Sequence, residues 1–113
     1  MGKRKAADVY PFLEAYLARK EEQITEILQI VERYEKKRMM EERAYQTMSP
    51  IKRLLSGKKP DHHLAVEYIH YVKKPMEQVK RLRREMEEAR AVLLRSRTED
   101  WVELPEDIEK ELP

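Results

Sequence analysis

DVYPFLEAYLARKEEQITEILQIVERYEKKRMMEERAYQTM, residues 8–48, decides the fold. The stretch has no glycine and one early proline. Read in steps of three and four, a seam returns on one face: Leu13, Leu17, Lys20, Ile24, Ile27, Val31, Tyr34, Arg38, Glu41, Tyr45 and Met48. Tyr16, Leu28, Ile30, Met39 and Met40 widen it. This period predicts one amphipathic helix of about 60 Å, so a segment of similar length has to cover its seam. Asp8 reads as the N-cap, and Pro11 sits early enough to be tolerated without its N–H. On the polar side Glu32 with Lys36, Lys37 with Glu41 and Arg38 with Glu42 lie one turn apart, each pair worth a few tenths of a kcal/mol.

Ser49-Pro50 ends this helix, because a residue before proline is pushed out of helical geometry. The same dipeptide opens a short connector helix, Ile51 to Ser56, with Ser49 as N-cap, Pro50 at the first position and Gly57 as its stop. Asp61 then reads as the cap of a second long segment whose seam is Ala65, Ile69, Val72, Met76, Val79, Leu82 or Arg83, Met86, Ala89 or Arg90, and Leu93, ending near Arg97. Its reach nearly equals that of the first helix, and two equal rods joined by a compact connector predict a long antiparallel helical hairpin. Pro75 interrupts the segment while the seam continues in register from Val72 to Met76, which favours a kink there over a loop that would leave three helices. The β-branched and aromatic residues of 61–72 have no second strand to pair with, so no sheet is expected.

Three regions follow: a basic arm over 1–7, the hairpin over 8–98, and an acidic tail over 99–113. Residues 50–84 carry ten basic side chains against three acidic, whereas 99–113 carry seven acidic against one basic. Leu104, Ile108 and Leu112 lie four apart in the tail, and Trp101 with Leu104 is its expected anchor on this chain or on a partner. With 41% hydrophobic and 41% charged residues in 113, the chain has enough apolar side chains for a seam on each helix and few to spare. That balance predicts an all-α hairpin dimerising into a four-helix bundle. Absent cysteines argue against an oxidising compartment, and no signal peptide, myristoylation signal or membrane span is legible, so a cytoplasmic protein without a membrane partner is expected.

Motifs for chemistry are sparse. Glycines at positions 2 and 57 alone exclude phosphate-cradling loops, and no nucleophile-elbow or Ser-x-x-Lys pattern surrounds Ser49, Ser56 or Ser96, so neither catalytic residues nor a cofactor are expected. His63, Glu67 and His70 share a helical face, and Glu67 to His70 has the Glu-x-x-His spacing of di-iron bundles. With Ile69 and Val72 in the seam, however, Glu67 falls at position f and both histidines at b, facing water. The basic run Lys73, Lys74, Lys80, Arg81, Arg83 and Arg84 could track a phosphate backbone. Against this, Arg81, Arg83 and Arg84 each have a glutamate four residues on, and the acidic tail is free to answer the remainder.

The favoured reading is a non-enzymatic assembly protein acting through Ile27, Val31, Met76, Val79, Trp101 and Leu104, with an unidentified protein partner as a further possibility. The alternative is a nucleic-acid-associated accessory protein using 50–84, and the third is a metal-dependent bundle enzyme.

Overall fold

The structure, a computed structural model, describes residues 4–95 and 101–112. Gly2, Ser96, Arg97 and Thr98 lie outside the described residues. The described residues are mostly helical, at 85%. Its order is β1 (Arg4–Lys5), α1 (Ala6–Thr47), α2 (Pro50–Ser56), α3 (Asp61–Tyr68), a π-helical turn (Ile69–Lys73), α4 (Lys74–Arg95), β2 (Trp101–Val102) and α5 (Glu106–Glu109). β1 and β2 pair antiparallel, Arg4 with Val102 and Lys5 with Trp101. This two-residue pairing is a sheet contact the sequence reading did not expect, and it draws the basic arm and the tail together.

α1 is a single helix of 42 residues, about 63 Å at the standard rise. It starts at Ala6, which is fully buried, so Asp8 is not the N-cap but a first-turn residue whose carboxylate complements the positive end of the helix. Pro11 consequently lies inside the helix. Ser49 caps α2 as expected, accepting from the Lys52 amide at 3.3 Å, and Gly57 closes it at φ 71°, a left-handed value that glycine adopts without steric cost. Pro60, rather than Asp61, occupies the cap position of α3, and Asp61 begins the helix.

Two compact units divide the chain: Met1–Thr25 with Val79–Pro113, and Glu26–Gln78. In the first, Ala6, Val9, Leu13 and Tyr16 of α1 form one core with Ala89 and Val92 of α4 and with Val102, Leu104 and Ile108 of the C-terminal segment. Each large aliphatic side chain withdrawn from water here contributes about 1.5–3 kcal/mol. Lys20 is also buried, its ammonium 3.1 Å from Glu85 and 3.5 Å from Glu111 and 4.9 Å from the centre of the Tyr16 ring. Lys20 facing Glu85 while earlier residues face later ones makes α1 and α4 antiparallel in this unit. The tail is therefore part of the core, with Arg4 and Glu109 closing its outer edge at 3.1 Å.

In the second unit the buried apolar residues among those described are Val31 and Val72. Tyr34 stacks on Tyr71, ring centres 4.9 Å apart and 17° from parallel. The Arg53 guanidinium donates to the Tyr45 carbonyl at 3.2 Å and to the Gln46 carbonyl, satisfying acceptors that the end of α1 leaves open. Here too the returning chain runs against α1.

At Pro75 the helix neither breaks nor simply bends. The Lys74 amide reaches back five residues to the Ile69 carbonyl, so the turn before the proline is widened. The widening falls where the pyrrolidine ring would otherwise meet the carbonyl four residues earlier, and where an amide is missing anyway. A π-helical turn holds one extra residue, which rotates everything before it by roughly 100° relative to a regular helix. The seam after Pro75 is as expected: Val79, Leu82, Met86 and Ala89 are buried, joined by Val92, which the sequence reading missed. Before Pro75 it is not. Ala65 and Ile69 are exposed, and Leu64 and Glu67 are the partly buried positions of α3. The assumption that the phase ran unbroken through Val72 fails for this reason.

Candidate interaction surfaces

The rotated phase turns Glu67 towards α1. Its carboxylate accepts from the Tyr34 hydroxyl at 3.2 Å and from the Lys59 ammonium at 2.9 Å. The hydrogen bond from Lys59 is the chief reason Glu67 is held below the ordinary carboxylate pKa, and the same bond raises Lys59. Tyr34 is raised first by desolvation and then by its bond to Glu67. Glu41 is answered by Arg38 at 2.8 Å and by Lys59 at 3.8 Å. Of the expected helix pairs, Glu32 with Lys36 forms at 3.1 Å, whereas Arg38 takes Glu41 instead of Glu42, and Glu42 receives the Gln46 amide.

These groups line a cleft of about 310 Å³ inside the second unit, together with Ile30, Arg33, Lys37 and Tyr71. Nothing in the linear sequence announced it. Lys59 comes from the link between α2 and α3, and Tyr71, which stacks on Tyr34, stands inside the π turn.

His63 and His70 are exposed, and Glu67 does not join them: it is held by Tyr34 and Lys59. Glu67 was expected to face water, and the π turn overturns that placement. Among the described residues no group of three or more His, Cys, Asp or Glu side chains is placed to hold a metal ion.

α2 has no buried residue. Its one partly buried side chain is Arg53, and with Arg53 committed to the carbonyls of α1 the opposite side carries Ile51, Leu54 and Leu55, which remain 72%, 85% and 83% exposed. Elsewhere in this unit Met39, Met40, Val66, Tyr68 and Ile69 are also exposed. Of the expected seam contacts, Val31 and Val79 are buried, and Ile27 and Met76 are half-buried. In the tail Leu104 is buried as expected, but Trp101 is 62% exposed, with the Lys5 ammonium over its ring at 5.6 Å. Ile108, fully buried, seats the tail on its own chain together with Leu104 and Val102.

The basic residues Lys73, Lys74, Lys80, Arg81, Arg83 and Arg84 are all exposed, and none makes an ion pair within the described residues. Glu85, the expected partner of Arg81, is bound to Lys20, and the tail's Glu109 and Glu111 are bound to Arg4 and Lys20. Among the described residues, neither the helix nor the tail places a carboxylate in an ion pair with this run. No helix among the described residues is long and apolar enough to cross a membrane. No family model matches the chain, and neither the curated proteins nor the solved structures compared with it gave a match.

Proposed function

We propose that this protein is a non-enzymatic helical assembly module, and that two copies associate through the Glu26–Gln78 unit to build a four-helix bundle. The observation that carries the reading is α2, a helix capped at both ends whose inward contact is an arginine and whose aliphatic side chains face water. Three bulky aliphatics so exposed on one short element mark a surface that receives a partner. The thin core of the unit, Val31 and Val72, argues the same way, since small units with little buried area gain stability by association. Light scattering on eluted protein tests it: a mass of twice 13.7 kDa is expected for the native chain, and a monomer for Leu54→Asp with Leu55→Asp. A native chain that stays monomeric at every concentration, with one cooperative transition, overturns the reading.

A second reading is supported by the unanswered charge. Lys73, Lys74, Lys80, Arg81, Arg83 and Arg84 present six cations on one helical segment, which suits a nucleic-acid backbone. Binding of a DNA or RNA duplex that falls steeply between low and physiological salt favours it, and salt-insensitive or absent binding ends it. The metal-dependent reading has no converging ligand set among the described residues and is not carried forward.

A further inference from the structure

The cleft of the second unit has a charge imbalance and an aromatic wall, which together define a ligand class. Its two carboxylates are already answered: Glu41 by Arg38, and Glu67 by Lys59 and the Tyr34 hydroxyl. Two cations remain. Arg33 spends its Nε on the Gln29 carbonyl at 3.4 Å and has no acidic partner among the described residues; Lys37, one turn on, also has none. Glu32, the nearest acid along the helix, is taken by Lys36. Both cations line the same cleft as Tyr71, which is 43% exposed beyond its stack on Tyr34, and Ile30, 49% exposed.

We infer that this cleft binds a small phosphate monoester that also bears an aromatic ring. The phosphoryl dianion matches the two unanswered cations in charge, and the arginine offers it a planar pair of N–H donors. The ring lies along Tyr71 and Ile30, where an apolar body loses contact with water. A volume of about 310 Å³ holds a molecule of this size and no extended polymer. No residue of α2 lines the cleft, so the Leu54→Asp with Leu55→Asp variant that tests self-association leaves its lining intact.

The test is a titration of the full chain with phenyl phosphate, followed by amide chemical shifts, with inorganic phosphate, benzoate and adenosine monophosphate as parallel arms. Saturable shifts centred on residues 30–41 and 67–71 are expected. Arg33→Gln with Lys37→Gln should weaken phenyl phosphate at least about tenfold, and Tyr71→Ala should weaken it while leaving inorganic phosphate unchanged. Lys80→Gln with Arg84→Gln, outside the cleft, should change nothing. Tighter adenosine monophosphate than phenyl phosphate assigns the ring to a nucleotide, and the reverse order to a simple aryl group. All four substitutions of charge fall on exposed side chains, so folding is retained; Lys37→Glu alone gives a second reading if the double variant is poorly soluble. No saturable shift with any phosphate, equal response to benzoate, or full binding by the Arg33 and Lys37 variant overturns the proposal.

Discussion

Tyr16 and Lys20 are the two residues at which packing and charge meet most closely. The Tyr16 ring is fully buried, yet its hydroxyl has no hydrogen-bond partner among the described residues. A buried hydroxyl without a partner is destabilising by about 1–3 kcal/mol, so Tyr16→Phe is expected to leave thermal stability unchanged or raise it, whereas Tyr16→Ala should cost about 3–5 kcal/mol through the cavity it leaves. Chemical denaturation of the two variants checks this. Burial, reinforced by the neighbouring carboxylates Glu85 and Glu111, raises the Tyr16 pKa well above its ordinary value of 10.0. The unfolded chain therefore loses this proton first as pH climbs. Stability is fully present below pH 10 and declines above it, which an alkaline denaturation series should show, with Tyr16→Phe blunting the decline. Lys20 was legible only as a charged residue in an apolar seam. In the fold it holds Glu85 and Glu111, and Lys20→Met, which leaves two carboxylates beside Tyr16, is expected to cost about 2–4 kcal/mol, less than a fully dry pair because Glu111 is partly exposed.

At the scale of the element, the π turn before Pro75 governs which face of α3 meets α1. The extra residue lets Glu67 reach Tyr34 and Lys59 while Val72 and Val79 stay buried. Removing one residue from the turn and the proline that demands it should give a regular helix in the same phase. Deleting exposed His70 together with Pro75→Ala is accordingly expected to shift the melting temperature by less than about 5 °C. Deleting Arg83 in the middle of α4, also exposed, rotates one end of the helix by roughly 100° and should abolish the cooperative transition, although it removes no buried group. Melting curves by circular dichroism compare the two. The connector helix behaves differently. Its caps are local, Ser49 and Gly57, and they were readable from sequence, but that its apolar side would be left outside was not, because this depends on where Arg53 finds acceptors at the end of α1.

Across the whole molecule the buried side chains are unevenly shared. The unit built from the chain ends contains the fully buried Leu13, Tyr16, Val79, Val92 and Ile108, while the Glu26–Gln78 unit buries Val31 and Val72. Amide exchange is expected to be slowest around Leu13–Tyr16 and Ala89–Val92 and fastest in α2, and the proposed self-association predicts that the difference narrows as protein concentration rises. Ile108→Ala should destabilise by about 2–5 kcal/mol despite its place in what reads as a tail.

Periodicity alone determined the long helix: every seam position from Leu13 to Met48 is buried or half-buried, because a seam repeating every 3.6 residues over about ten turns admits no other regular structure. It also determined the run from Val79 to Ala89 and the capping of the connector, since these depend on residues close in the chain. Three things were decided by tertiary structure. The phase of α3 was set by a single inserted residue before Pro75, and a proline in the sequence fits a simple kink as well as this wider turn. Docking of the tail through Ile108 rather than Trp101 was set by pairing between residues 4–5 and 101–102, almost a hundred positions apart. The cleft charge was set by which carboxylate each cation reached first, a competition among side chains that meet only when the chain turns back on itself.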